Sequence, residues 1–131
     1  MQFSETTRMV TVTVNPIFLE DESEPEKNTF MWAYQIRIDN EGEEAVQLIS
    51  RYWKITDALG RVQEVRGEGV VGEQPLLDPG GSYEYTSGVP LQTPSGFMGG
   101  AYEMISEVGE RLHVVVPTFS LDSPFEARTV N

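Results

Sequence analysis

Phe30-Met31-Trp32-Ala33-Tyr34-Gln35-Ile36-Arg37-Ile38 is the stretch that decides the fold. Every second residue is large and apolar, and the residues between them (Met31, Ala33, Gln35, Arg37) include the polar ones. A period of two puts one set on a single face of a β-strand, whereas a helix would need apolar residues three and four apart. Upstream, Val10, Val12 and Val14 alternate with Thr11 and Thr13 in the same way. Downstream, Val46 to Thr56 reads as a third strand, but Val46 and Leu48 are out of phase with Ile49, Trp53 and Ile55. One extra residue in the strand, a bulge, would shift the phase in that manner. Asp57-Ala58-Leu59-Gly60 reads as a hairpin turn, with Gly60 supplying the positive φ.

The rest of the chain repeats this grammar. Val62 and Val65 bracket a short strand, Asp78-Pro79-Gly80-Gly81 is a turn, and Tyr83 and Tyr85 carry the next strand. Phe97 to Met104 is another, loosened by Gly99 and Gly100; Leu112, Val114 and Val116 then alternate until Pro117 interrupts, ahead of Phe119 and Leu121. Glu103 to Val108 is the one helical candidate, and Gly109 ends it too early for it to stand alone. Seven to nine short strands separated by Gly/Pro turns imply an all-β chain, an antiparallel sandwich of immunoglobulin or fibronectin type III character. With 131 residues and no repeat or linker, residues 1–131 form one domain, its core spanning about residues 10–124.

Composition narrows the function classes. Nine basic against twenty-one acidic residues leave a net charge of −12, which opposes a nucleic-acid or anionic-membrane surface. Without cysteine there is no disulfide, thiolate zinc site or thiol nucleophile. The opening residues Met1 to Arg8 lack a basic region followed by an apolar run, and no apolar stretch nears the ~20 residues of a membrane helix. A cytoplasmic location without direct membrane insertion is therefore expected.

Three features invite a chemical reading. Gly67-Glu68-Gly69-Val70-Val71-Gly72 fits G-x-G-x-x-G, whose glycines in dinucleotide-binding domains admit a pyrophosphate to a helix N-terminus. Here Pro75 and Pro79 follow and leave no room for a helix, so a Rossmann site is excluded; what survives is a nest of backbone N–H groups helped by Arg66 or Arg61. The ligand-binding candidates on that reading are Arg66, Gly67, Gly69 and Gly72, against the plainer alternative of a glycine loop crossing between sheets. Acidic residues crowd Glu20 to Glu26 and Asp39 to Glu44, but the strand between them holds the clusters about 33 Å apart, so they cannot share one ion. Solvated loops are the expectation, with no metal site and no cofactor. The sole histidine, His113, would have to serve any triad with Ser50, Ser87, Ser95 or Ser106; none lies in a nucleophile elbow, and by phase His113 faces away from the core.

Ser50-Arg51-Tyr52-Trp53-Lys54-Ile55-Thr56-Asp57, then Glu64 through Pro75, and Thr93-Pro94 with Gly96, Met98, Gly100, Tyr102 and Met104 together resemble the ApaG family. Val116-Pro117-Thr118-Phe119-Ser120-Leu121 resembles its last strand, so the likeness runs from about Val10 to Pro124. The resemblance implies a fibronectin type III-like sandwich and a family association with cobalt tolerance and magnesium efflux. Genes of the family often neighbour a diadenosine-tetraphosphate hydrolase. Related domains are fused to F-box proteins and to a polymerase-delta-interacting protein, which implies a portable protein-binding module without catalytic residues to carry over.

The expectation is a non-catalytic module that recognises a protein partner, with nucleotide or pyrophosphate binding at residues 67–72 as the alternative. Trp32, Trp53, Tyr34 and Tyr52 are aromatic candidates for the contact, though the phase of Trp32 favours the core. Phe97 and Met98 are the stronger pair, because adjacent residues of a strand point to opposite faces and one of them must look outward. An open strand edge could also pair with a second copy, giving a homodimer.

Overall fold

A computed structural model describes residues 1–125. The six residues beyond, which the sequence reading included in the domain, lie outside the described residues. Nine strands follow in order: β1 (Phe3–Thr7), β2 (Val10–Phe18), β3 (Phe30–Asn40), β4 (Val46–Asp57), β5 (Val62–Glu68), β6 (Leu76–Leu77), β7 (Ser82–Leu91), β8 (Ser95–Ser106) and β9 (Arg111–Asp122). They form two antiparallel sheets, one ordered β1-β2-β3-β7 and the other β5-β4-β8-β9 with β6 beside β4. This is the expected all-β sandwich.

The alternating residues meet between the sheets. Val12, Val14, Ile36 and Ile38 from the first sheet are closed against Leu48, Met104, Val114 and Leu121 from the second. Aromatic edges lock the centre: Trp53 packs near-perpendicular to Tyr102 and Phe119, and edge-on to Tyr34. Such pairs add roughly 0.5–1.5 kcal/mol each beyond the area they bury. Burial pushes the Tyr85 and Tyr102 phenols well above their ordinary value, and the two share a hydrogen bond of 2.5 Å inside the sandwich.

The phase slip in β4 is a bulge: β4 and β8 change register between Leu48 and Ser50. Three expectations change. Glu103 to Ser106 continues β8 as strand, because pairing with both β4 and β9 outweighs the local helical tendency. Pro117 does not end its strand; β9 runs through it, and the β8–β9 register shift between Met98 and Gly100 absorbs the residue whose N–H cannot enter the ladder. The chain also enters the sheet earlier than residue 10. β1 adds to β2, and Phe3 packs its ring 6.1 Å from that of Phe119.

Candidate functional site

The glycine-rich segment is a hairpin tip. Val70 and Glu73 exchange backbone hydrogen bonds of 2.8 and 2.9 Å around Val71 (φ 42°) and Gly72 (φ 83°). Two central residues at positive φ make a type I′ turn, the form that matches strand twist. Gly69 (φ 65°) is held for a second reason: a Cβ there would collide with the Glu73 carbonyl oxygen. Gly67 makes room for Arg51, whose Nη1 donates to the carbonyl oxygens of Glu68 at 3.1 Å and Gly69 at 2.9 Å. The amides of Gly69, Val70 and Glu73 donate to Ile49, Glu73 and Val70 carbonyls, so three of the N–H groups a phosphate nest would need are engaged. After the turn the backbone runs extended through Pro75 into β6, with no helix behind the glycines.

Arg66 does not join Gly69 and Gly72 at that tip. Its position opposite Tyr52 across β4–β5 puts the guanidinium 4.6 Å over the Tyr52 ring, on the outer face of the second sheet. Phe97 comes to the same face from β8, opposite Thr56. The adjacency argument resolves clearly there: Phe97 is 49% exposed and Met98 is 1% exposed in the core, so Met98 cannot touch a partner.

Register assembles the rest of this face. Arg66, Tyr52, Ala101 and Val115 form one row across β5, β4, β8 and β9; Glu64, Lys54 and Gly99 form the next. Because Gly99 and Ala101 carry little or no side chain, a trough of about 380 Å³ opens between Tyr52 and Lys54 on one side and His113, Val115 and Thr118 on the other, with Phe97 at its end. The trough continues past Tyr52 and Ala101 towards Arg66 and Ser50. At its margins the Tyr52 hydroxyl donates to Glu64 at 2.5 Å, and His113 Nδ1 lies 2.6 Å from Glu103. The bond to Glu64 is the chief reason the Tyr52 phenol titrates above its ordinary value; partial burial and the carboxylate charge add to it, against Arg66.

The opposite outer face is different in kind. Thr6 and Thr11, Asn15 and Gln35, and Arg37 with Asp39 and Glu84 satisfy one another across the first sheet. Ile17 of β2, 38% exposed, is an apolar exception on that face; on the second sheet Phe97 of β8 is 49% exposed. Of the other candidates, Trp32, Trp53 and Tyr34 are core residues, and His113 faces outward without a serine partner among the described residues. Among those residues no three carboxylate or imidazole groups converge to hold an ion. Sequence reading missed Lys54, Ala101 and Val115; the signal available was their alternation with inward Trp53, Ile55, Tyr102, Val114 and Val116.

A family model described as the ApaG domain matches residues 20–106. The chain belongs to the ApaG family. It is 58% identical over 129 residues to Protein ApaG of Paramagnetospirillum magneticum, covering 98% of this chain and 99% of that one. With Protein ApaG of Rhodospirillum centenum it shares 61% over 122 residues, 93% and 94% of the two chains. A crystal structure of a Bordetella pertussis protein given the name ApaA superposes with a TM-score of 0.86 at 49% identity, over 88% of this chain and 94% of that one. Family membership therefore agrees with the sandwich and with the residues that suggested it.

Proposed function

We propose that this ApaG-family chain is a non-catalytic, cytoplasmic module that binds a protein partner through the outer face of the sheet β5-β4-β8-β9. The observation that carries the reading is the half-exposed Phe97 at the end of an apolar trough walled by Tyr52 and Val115, whereas the other sheet's outer face is tied chiefly by polar pairs and exposes Ile17 less. Exposed aromatic side chains on a concave, largely apolar patch are what protein interfaces use as anchors. Among the described residues no helix is long and apolar enough to cross a membrane, so on this reading the family association with cobalt tolerance and magnesium efflux runs through whatever the module binds.

Phe97→Asp tests it, since the side chain is exposed and the change leaves the core intact. Affinity capture from lysate with the wild type and the variant, read by mass spectrometry, should give a set of proteins retained by the first and lost by the second. Identical sets would remove this face as the docking site. Titration with ATP, followed on backbone amides, addresses the alternative: movement confined to residues 66–72 would transfer the binding function to the glycine hairpin.

A further inference from the structure

We infer that the trough takes an extended protein segment carrying an aromatic residue flanked by acidic ones, with a carboxylate seated on Lys54. This rests on the reading of the outer face as a protein-binding surface and deepens it by naming the partner's chemistry. Three observations converge. The trough of about 380 Å³ is floored by Gly99, without a side chain, and Ala101, with only a methyl, and Tyr52, Phe97 and Val115 give it apolar walls.

The second observation is the charge state of the walls. Glu64, opposite Lys54 on β5, is turned to the Tyr52 hydroxyl and lies 3.9 Å from Arg66; Glu103 is held by His113. Lys54, exposed and beside the trough, has no ion pair among the described residues. The third is the setting: in a chain of net charge −12, Arg8, Lys27, Arg37 and Arg61 are ion-paired within the fold, and of the exposed described cations without an ion pair, Lys54 and Arg111, only Lys54 lines the trough. An ammonium left without a counter-ion at the rim of an apolar trough complements an anion adjoining an apolar group. A purely cationic segment would meet Lys54 and Arg66 with like charge, and the carboxylates at the margins, Glu64 and Glu103, are already hydrogen-bonded to Tyr52 and His113.

Three blocked tripeptides test this on the intact protein: Ac-Glu-Trp-Glu-NH2, Ac-Gln-Trp-Gln-NH2 and Ac-Lys-Trp-Lys-NH2, titrated to millimolar concentration with amide NMR as the readout. The acidic peptide should shift Lys54, Gly99, Ala101 and Val115 and bind at least about tenfold more tightly than the basic one, a difference that salt should shrink through screening. Lys54→Glu should reverse the order, and Lys54→Gln should remove the preference. Equal shifts from all three peptides, or shifts located at the edge of β5 or at residues 69–73, overturn the proposal, and the wild-type comparison decides this even if a variant folds poorly. The two readings separate cleanly. Loss of captured proteins by Phe97→Asp with retention by Lys54→Glu refutes the acidic partner and leaves the docking face standing; capture unaffected by Phe97→Asp refutes the face itself.

Discussion

Val71 is the residue whose replacement should stabilise the protein. It is a β-branched side chain at φ 42°, at the first central position of a type I′ turn that prefers Asn followed by Gly. Holding a non-glycine residue in the left-handed region costs roughly 1–2 kcal/mol, and a β-branched one sits at the upper end. Against that stands the burial the valine contributes. Val71 is 56% exposed, which leaves 100 − 56 = 44% covered. Complete burial of a valine is worth about 1.5 kcal/mol, so less than half of that, some ~0.7 kcal/mol, is at risk. Val71→Asn should therefore gain about 0.5–1 kcal/mol, read as a higher urea midpoint with an unchanged slope, and raise Tm by about 2–4 °C. An unchanged or lower midpoint would mean that the turn is not type I′ in solution, and the account of the glycine motif as a hairpin tip would fall with it.

Glycines in the same segment should rank by what surrounds them: Gly72→Ala, with open space around it, costs about 1 kcal/mol, while Gly69→Ala, driven into the Glu73 carbonyl, costs upwards of ~3 kcal/mol; equal losses in urea melts would contradict this. Asn40 is buried, and its side chain donates to the Glu44 and Leu77 carbonyls and accepts from the Gly42 amide. Asn40→Ala should cost about 2–4 kcal/mol by the same assay, and a loss below ~1 kcal/mol would show that water replaces it. The Tyr85 and Tyr102 phenols are raised above their unfolded value of about 10, so their contribution is complete below that pH and is lost as pH climbs towards the folded values. Urea midpoints at pH 8, 10 and 11 should fall slightly across the first interval and more steeply across the last, and a flat profile would contradict the shifts.

Strands announced themselves where one face is buried and the other is wet. The run from Phe30 to Ile38 has that pattern in full, and it became the central strand β3, paired on both sides. β1 was not legible because Phe-Ser-Glu-Thr-Thr offers a single large apolar residue, and what holds it is Phe3 against Phe119, more than a hundred positions away. Pro117 misled for a related reason: a proline rule is local, whereas the register slip that accommodates it belongs to the pair β8–β9. The site shows the same division. Parity said that one of Phe97 and Met98 must face outward, and which one follows from the unbroken alternation of β8 with Tyr102 and Met104, whose burial only the assembled sheets show. Arg66 entered with the glycine motif and Phe97 with the turn-rich segment, and only the order β5-β4-β8 placed them on one face.

That shared face changes what the glycine motif means. Its spacing suggested a phosphate cradle, yet each glycine already has a use within the fold: Gly67 admits the Arg51 guanidinium, Gly69 the Glu73 carbonyl, and Gly72 the turn. Arg51 in turn ties the carbonyls of residues 68 and 69 to β4, the strand that carries Tyr52 and Lys54 in the trough wall. The motif thus sets the end of β5, and through the β4–β5 register it places Arg66 over Tyr52. A disturbance at Gly69 should therefore reach the trough through β5, whereas one at Gly72 should stop at the tip. If Gly69→Ala and Gly72→Ala were compared at equal folded fraction, only the first should move the amide resonances of Tyr52 and Ala101. Equal effects from both would mean that the loop and the face are independent, and the motif's spacing would again need a ligand to explain it.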